Sequence, residues 1–244
     1  MATATSTHIS SLKKREEIAE GTMAFYFAKP RDFQFRAGQS IDLTLVNPPQ
    51  TDAEGNTRAF SIASAPFDAD LMIATRMRDT AFKRVLRSAS PGMEVKMEGP
   101  SGSFTLHKNS SNAAVFLAGG IGITPFLSII RQATRENLLH QFYLFYSNRR
   151  PEDAALLDVL QEAARQNSKF HLIATMTETE RSHRSWTGET GFIDQNMLRR
   201  YLPSTQGPIY YIAGPPAMVA AMRQMLVEAG VDEDDIRTEE FSGY

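Results

Sequence analysis

Cysteine is absent from the 244 residues of the chain. Its absence excludes disulfide bonds, a thiolate nucleophile, thiolate zinc sites and a cysteine-ligated iron–sulfur cluster within this chain. Any metal redox centre of these types must therefore lie on another protein.

An excess of charge and a long hydrophobic run are also missing. The 26 Lys and Arg residues nearly balance the 28 Asp and Glu residues, and a net charge of −2 gives no general attraction to nucleic acid or anionic membranes. No apolar run approaches the roughly 20 residues that a membrane-spanning helix needs. The segment 1–8 lacks the basic flank and apolar stretch of a secretory signal. These patterns predict a cytoplasmic protein with no nucleic-acid partner and no membrane insertion.

Several enzyme classes lack their motifs here. The histidines at positions 8, 107, 140, 171 and 183 show no paired ligand spacing, so we expect no metal site. Neither a Gly-x-Ser-x-Gly elbow nor a Gly-Lys-Ser/Thr phosphate loop occurs, which argues against a serine hydrolase and a nucleoside triphosphatase.

The sequence pattern of the first part of the chain is typical of an antiparallel β domain. Short strand-like runs at 23–28, 40–46 and 71–77 are separated by turns that contain Pro and Gly, and one helical stretch lies at 81–89. This spacing is typical of a barrel or sandwich. We predict an N-terminal antiparallel β-barrel domain over residues 1–107.

The remainder alternates apolar strands with helices. A strand of the buried type at 113–118 opens the series, a helix is predicted over 151–166, and strand 209–213 precedes a helix at 217–229. Alternation of this kind predicts an α/β doubly wound parallel sheet with ligands beyond the carboxyl ends of its strands. We place this second domain at residues 108–244.

A glycine-rich turn follows the first strand of the second domain. Gly119, Gly120 and Gly122 allow a tight turn and a close approach of pyrophosphate to the backbone, while the helix that begins near Thr124 and Pro125 presents free N–H groups to anions. A strand-to-helix turn without a ligand is the alternative interpretation.

A second turn, Gly214-Pro215-Pro216-Ala217-Met218, follows the strand at 209–213. Its two prolines and glycine make a rigid turn that leaves another helix N-terminus open at the same sheet edge. The two turns together indicate two faces of one nucleotide site.

In the barrel half, Arg58, Ala59, Phe60 and Ser61 form a strand with mixed chemistry. An extended strand projects Arg58 and Phe60 to one side and Ser61 to the other. Arginine suits a phosphate, and an aromatic ring suits stacking on a flat heterocycle. When this segment is taken alone, an ordinary half-buried strand is the better explanation.

In their order and spacing, the three segments resemble the ferredoxin–NADP reductase family, and the resemblance covers nearly the whole chain. The arginine-x-aromatic-serine strand of the family matches 58–61, its glycine-glycine-x-glycine-x-threonine-proline loop matches 119–125, and its glycine-proline-proline-x-methionine loop matches 214–218. The resemblance implies a flavin barrel, an NAD(P)-binding domain and no iron–sulfur domain.

The resemblance implies a set of flavin contacts in the barrel half. Arg58 would bind flavin phosphate, Phe60, where the family commonly has tyrosine, would lie against the isoalloxazine ring, and Ser61 would hydrogen-bond near the reactive N5. A second, less distinctive flavin segment matches Ala74, Thr75 and Arg76.

A helix start in the same half favours FAD over FMN. Thr80, Ala81 and Phe82 would offer a hydroxyl and backbone amides to a pyrophosphate. A helix cap without a ligand explains Thr80 equally well. On the other side of the flavin, Thr124 would sit between the ring and the nicotinamide, and Phe241 would cover part of the flavin face. For Phe241, a packed C-terminal aromatic side chain is the alternative.

The choice of nucleotide depends on the end of the second strand of the second domain. There, Ser147 supplies a hydroxyl and Arg149 and Arg150 supply two cations, with no carboxylate before Glu152. A cation suits a 2′-phosphate, so the segment slightly favours NADPH over NADH. Solvated residues ahead of a helix at Pro151 are the alternative.

The resulting prediction is an enzyme that transfers a hydride from NAD(P)H to FAD and then single electrons to a separate acceptor protein, such as a ferredoxin or an oxygenase component. Ser61 and Thr124 are the residues expected nearest the chemistry. Two alternatives stay open: a non-catalytic flavin electron-relay subunit, and a reductase that acts directly on ferric chelates or quinones. No function is assigned to the turn at Trp186.

Overall fold

Antiparallel strands account for most of the first hundred residues. In the computed structural model, which describes residues 6–241, they are β1 (Ser6–Ala19), β2 (Thr22–Ala28), β3 (Ser40–Leu45), β4 (Thr57–Ser61), β5 (Asp70–Arg76) and β6 (Glu94–Ser101). They form one sheet in the order β4-β3-β6-β1-β2-β5. The predicted barrel-like domain is confirmed, and the two predicted flavin segments lie on its end strands, β4 and β5.

Alternating burial drives this sheet to curl around one core. In β3, for example, Ile41, Leu43 and Leu45 point inward while the residues between them are less buried. The curl brings the end strands together, since the Ala63 amide just after β4 donates to the Met72 carbonyl of β5 at 2.8 Å. Helix α1 (Ala81–Ser88) covers one opening and contributes to the same core.

The second sheet is parallel and has helices on both faces. Its elements are β7 (Ala114–Gly119), α2 (Ile123–Arg135), β8 (Phe142–Asn148), α3 (Leu157–Gln166), β9 (Phe170–Met176), β10 (Glu189–Thr190), α4 (Gln195–Tyr201), β11 (Ile209–Gly214), α5 (Pro216–Glu228) and β12 (Ile236–Glu240). The strand order is β10-β9-β8-β7-β11-β12. The doubly wound sheet is confirmed, and its order reverses between β7 and β11, the strands that carry the two predicted nucleotide turns.

The helix predicted over 151–166 is wrong in its first turn. A short 3₁₀ turn spans Pro151–Asp153, and α3 begins only at Leu157. Leu156 has a φ of 61°, a left-handed conformation that cannot continue a helix. The Tyr146 hydroxyl donates to the Ala155 carbonyl at 3.1 Å, so a tertiary contact satisfies the backbone at the break.

Residues between the last barrel strand and β7 are tied to the second sheet. Phe104 packs in its core, and the His107 amide donates to the Tyr211 hydroxyl at 2.8 Å. The boundary between residues 107 and 108 stays a prediction. Among the helices of residues 6–241, none combines the length and apolar character that crossing a bilayer requires.

Candidate functional site

A cleft of about 410 Å³ opens between the end strands of the barrel and the carboxyl edge of the parallel sheet. Its volume lies in the range of small-molecule sites. The cleft brings together residues that the sequence places far apart. The predicted residues that line it are Arg58, Ala59, Phe60, Ser61, Ala74, Thr75, Arg76, Thr80 and Phe241.

Seven further lining residues were missed by sequence reasoning. They are Ser40, Glu54, Arg78, Lys83, Ile121, Glu239 and Glu240. Lys83 offered a signal, because it lies in the first turn of α1, directly after the predicted phosphate-binding helix start. Glu239 lies in the C-terminal segment beside Phe241, but nothing local marks it as facing Ser61.

One end of the cleft is rich in cationic side chains. Arg58 lies with its guanidinium carbon 5.2 Å from the centre of the Phe82 ring, and Arg78 and Lys83 line the same wall. The Lys83 ammonium donates to the Arg76 carbonyl at 2.7 Å. Burial lowers the pKa of Lys83 to about 8, and the charges of Arg78 and Arg58 add to that effect. This end of the cleft is suited to an anion.

The helix start at the cationic end is already occupied by protein groups. The Thr80 hydroxyl accepts from the Lys83 amide at 3.3 Å, which makes Thr80 an ordinary N-cap. The Ala81 amide donates to a carboxylate oxygen of Asp52 at 2.8 Å. The cap interpretation of Thr80 therefore holds, and a pyrophosphate contact at Ala81 stays a prediction that requires Asp52 to move.

Phe60 forms an apolar wall of the cleft and rests on Phe82, with ring centroids 5.9 Å apart. Phe82 itself is 1% exposed in the barrel core. Its side chain supports Phe60 and Arg58 from behind, so any contact of Phe82 with a ligand is limited to its backbone.

At the other end of the cleft, the Ser61 hydroxyl donates to Glu239 Oε1 at 3.3 Å. Glu239 Oε2 is buried and has no hydrogen-bond partner among the described residues. Burial raises the pKa of Glu239 to about 7, against the smaller lowering effect of the Ser61 hydrogen bond. This carboxyl is therefore poised to hold or release a proton near neutral pH.

The two glycine-containing turns touch each other at the point where the strand order reverses. A Cβ on Gly122 would lie 2.2 Å from the Ala213 carbonyl oxygen, and one on Gly119 would lie 2.2 Å from the Met218 sulfur. These glycines are needed for packing between the turns, whatever else they bind. Gly120 has a φ of 50°, in the left-handed region that glycine tolerates best. Pro215 and Gly214 complete the contact.

Thr124 does not line the cleft. It is 1% exposed, and its hydroxyl donates to the Ile121 carbonyl at 3.1 Å. Ile121 occupies the cleft wall in its place. Pro125 is buried behind it at the start of α2. The position of Thr124 between two ring systems therefore stays a prediction, and the structure gives its hydroxyl a role in holding the turn.

Phe241 combines both interpretations given from the sequence. It lines the cleft and also packs partly against the apolar residues between the sheets. Its amide donates to the Gly214 carbonyl at 2.9 Å, which links the cleft to the second nucleotide turn. Residues 242–244, which follow Phe241, lie outside the described residues.

Ser147 and Arg149 lie outside the cleft, at and just beyond the carboxyl end of β8. The Arg149 side chain is 70% exposed, and its Nε is 3.8 Å from Glu178 Oε1. Sequence reasoning missed Glu178 because it follows a different strand. Arg149 is accessible to a phosphate, with a carboxylate beside it.

Trp186 has a structural role. Its indole N–H donates to the Glu189 carbonyl at 2.7 Å, and a Cβ on Gly188 would meet the indole ring at 2.4 Å. The turn therefore fixes the short edge strand β10. Within residues 6–241, no group of three His, Asp or Glu side chains is arranged to hold a metal ion.

The chemistry of the cleft fits a flavin dinucleotide. Cations at one end match a diphosphate, Phe60 and Phe241 match a flat ring, and the unpartnered oxygen of Glu239 marks a place where a donor is missing.

Comparisons with known proteins agree with this geometry. The family model described as an oxidoreductase NAD-binding domain matches residues 116–224. Ferredoxin–NADP reductase B of Sorangium cellulosum is 30% identical over 228 residues, covering 90% of each chain. The propane 2-monooxygenase reductase component of Rhodococcus jostii is 28% identical over 88% of this chain, which spans 57% of that relative.

Among solved structures, a ferredoxin NADP⁺ reductase from Neisseria gonorrhoeae with bound FAD and NADP superimposes with a TM-score of 0.80 at 20% identity. The match covers 96% of this chain and 98% of that one. At this identity the likeness establishes the two-domain fold.

Proposed function

The chain belongs to the ferredoxin–NADP reductase family and is a flavin-dependent NAD(P)H oxidoreductase with an external electron acceptor; from that premise we propose that FAD occupies the cleft between the two sheets. We further propose NADPH as the hydride donor and a ferredoxin-like protein or an oxygenase component as the acceptor. The observation that carries the proposal is the cleft itself, which joins Arg58, Ser61 and Glu239 in one cavity.

At the phosphate end, Arg58, Arg78 and Lys83 would supply charge to the diphosphate, and the start of α1 would supply backbone amides. At the ring end, Phe60 and Phe241 would hold a flat heterocycle between apolar faces and exclude water. When bound, FAD supplies the two-electron and one-electron redox chemistry.

The protein's own share of the chemistry lies in the Ser61–Glu239 pair. At neutral pH, Glu239 divides between its protonated and ionised forms, because its pKa is about 7. The Ser61 hydroxyl connects that carboxyl to the cleft at 3.3 Å. This pair would hold a proton beside the reacting ring and release it as the charge there changes.

For the nucleotide, the topology supplies a binding position. Ligands of doubly wound sheets bind outside the strand carboxyl ends where the strand order reverses, which here is between β7 and β11. Gly119, Gly120, Gly122, Gly214 and Met218 lie at that point. Ser147 and Arg149, one strand further along, would contact the 2′-phosphate end. A cytoplasmic location stays a prediction of the sequence.

The test is anaerobic reduction of the flavin-loaded protein by NADPH and by NADH, followed in the visible flavin band. We expect rapid bleaching with a preference for NADPH, and reoxidation by an added ferredoxin. Absence of bleaching with either nucleotide would favour the non-catalytic relay subunit. Equal or faster reoxidation by quinones or ferric chelates would favour direct reduction of small acceptors.

The cleft assignment has its own variant. Arg58→Ala removes a charge-assisted contact to phosphate and should weaken FAD binding by about tenfold or more. Lys96 lies on β6 and is paired with Glu98, so Lys96→Ala serves as a control for the loss of a cation elsewhere on the barrel. Full flavin retention by the Arg58 variant would rule out the proposed cleft.

A further inference from the structure

The loop that joins β3 to β4, residues 46–56, places two carboxylates on the groups that the cationic end of the cleft offers to an anion. Asp52 accepts a hydrogen bond from the Ala81 amide at 2.8 Å, at the N-terminus of α1. The other oxygen of Asp52 lies 3.6 Å from Arg58 Nη2. Glu54 lies closer to the same guanidinium nitrogen, at 2.7 Å.

The two partners come from different parts of the chain. Arg58 is on β4 and Ala81 begins α1, and each is predicted from the sequence to contact phosphate. The carboxylates of one loop contact both of them. A bound diphosphate would make the same two kinds of contact, because it accepts hydrogen bonds from backbone N–H groups at a helix start and pairs with an arginine.

The two terminal nitrogens of the Arg58 guanidinium have different partners: Nη1 contacts backbone carbonyls and Nη2 contacts carboxylates. The two hydrogens of Nη1 are shared among three backbone carbonyls, those of Glu54 at 2.8 Å and Gly55 at 3.2 Å in the loop and that of Thr57 at 2.7 Å at the start of β4. Nη2 carries the carboxylate contacts. Exchange of these carboxylates for another anion would leave the three carbonyl contacts in place.

The carboxylates also have room to leave. The Glu54 side chain is 66% exposed and that of Asp52 is 31% exposed, so moving them toward solvent uncovers no apolar core. A diphosphate beside two carboxylates would be repelled, whereas Arg58, Arg78 and Lys83 would attract it. The Ala81 amide has a single hydrogen and cannot serve Asp52 and a phosphate fully at once.

We propose that Asp52 and Glu54 compete with the flavin diphosphate for the Arg58 guanidinium and the Ala81 amide, and that they give up these contacts when FAD binds. The carboxylates of the loop at 46–56 then lower the affinity of the protein for FAD. This inference rests on the proposed FAD site.

The test is FAD binding to flavin-free protein, measured by the change in flavin fluorescence. Asp52→Asn and Glu54→Gln keep the size of each side chain and its ability to accept hydrogen bonds but remove the charge that competes with phosphate. We expect the double variant to bind FAD about tenfold more tightly than the wild type, with a smaller gain in each single variant.

Two controls separate competition from a general change in charge. Asp79 is 88% exposed and pairs with Arg84 next to the same helix, so Asp79→Asn should change FAD affinity by less than about twofold. Riboflavin has no phosphate, and its affinity should be the same in the wild type and the double variant. An equal gain for riboflavin and FAD would overturn the proposal.

Failure of this inference is distinguishable from failure of the proposed site. If Arg58→Ala weakens FAD binding but the double variant binds FAD no more tightly than the wild type, the proposed competition by Asp52 and Glu54 is wrong and the proposed FAD site is retained. If the Arg58 variant binds FAD as the wild type does, both are wrong. If the double variant does not fold, Glu54→Gln alone provides the test, because it changes only an exposed side chain and should still bind FAD more tightly than the wild type.

Discussion

The Ser61 hydroxyl donates to the Glu239 carboxyl at 3.3 Å across 178 positions of sequence. One residue ends a barrel strand and the other lies on the outermost strand of the parallel sheet, so their contact joins the two halves at the cleft. Because this carboxyl is buried, its pKa is raised to about 7, and its protonation affects both stability and reactivity.

Stability should fall as the pH rises through the range set by Glu239. Its pKa is about 7 in the folded protein against an ordinary value of 4.5, so between these values the folded state keeps a proton that the unfolded state releases. Unfolding free energy therefore declines from about pH 4.5 to about pH 7, by up to about 3 kcal/mol, and levels off above that range. Urea unfolding of the flavin-free protein at several pH values measures the decline. Glu239→Gln should remove it, and parallel curves for the two proteins would contradict the assignment.

Reduction of bound flavin should slow as the pH rises through about 7, because an ionised Glu239 places negative charge beside a ring that is gaining negative charge. In Glu239→Gln the rate should lose this dependence. Ser61→Ala should shift the transition to higher pH, since the Ser61 hydrogen bond lowers the pKa of Glu239. Anaerobic stopped-flow reduction by NADPH across the pH range gives all three profiles. A Ser61 variant whose transition shifts to lower pH would refute the proposed pairing.

Affinity for FAD should decrease above about pH 8, where Lys83 loses its proton. The neutral amine gives up its attraction to phosphate, so the dissociation constant is expected to rise about tenfold across the transition. Lys83→Arg should keep tight binding at high pH, and Lys83→Met should bind weakly at all pH values. Equilibrium titration with FAD tests this directly, and equal pH dependence in the wild type and the arginine variant would count against it.

The two turn glycines should differ in their tolerance of a methyl group. In Gly122→Ala the new Cβ meets backbone, the Ala213 carbonyl at 2.2 Å, whereas in Gly119→Ala it meets first the flexible end of Met218. We expect Gly122→Ala to lose about 1–3 kcal/mol of unfolding free energy and Gly119→Ala to lose less. Thermal or urea unfolding ranks the two variants. The reverse order would mean that the turns do not pack as described.

Nucleotide preference should depend on Arg149. Arg149→Ala is expected to raise the KM for NADPH several-fold and to leave the KM for NADH nearly unchanged, because only NADPH carries a 2′-phosphate. Glu178 lies 3.8 Å from Arg149, and Glu178→Gln should favour NADPH further by removing a nearby negative charge. Steady-state kinetics with both nucleotides are sufficient. Equal changes for NADPH and NADH in the Arg149 variant would remove the basis for preferring NADPH.

Local signals explain which parts of the fold were predictable. The strand at 58–61, the two glycine-containing turns and helix α5 each depend on residues close in sequence, and all appear as expected. Strand β1 was not predicted, because the second half of its sequence is dominated by charged residues. Its extended conformation is stabilised by pairing with β2 and β6. The break before α3 was missed because the Tyr146 contact that supports it is tertiary.

The site shows the same division. Arg58 and Phe60 carry recognisable chemistry in a recognisable spacing, whereas Asp52 reaches Ala81 across 29 positions through a loop with no motif of its own. The pKa of Glu239 is raised by burial, which results from tertiary structure and cannot be inferred from the neighbouring residues in the sequence. The roles of Asp52 and Glu239 depend on tertiary contacts between segments that have no distinctive sequence pattern.

Strand β12 supplies Glu239, Glu240 and the following Phe241 to a cleft whose other walls come mainly from residues before position 84. During synthesis, all six barrel strands leave the ribosome before this strand is made. A nascent chain would thus present an open, half-built cleft until the parallel sheet has added its outermost strand. In the proposed site, retention of FAD therefore depends on completion of the second sheet, and in a chain interrupted before β12 the flavin ring would be exposed to solvent.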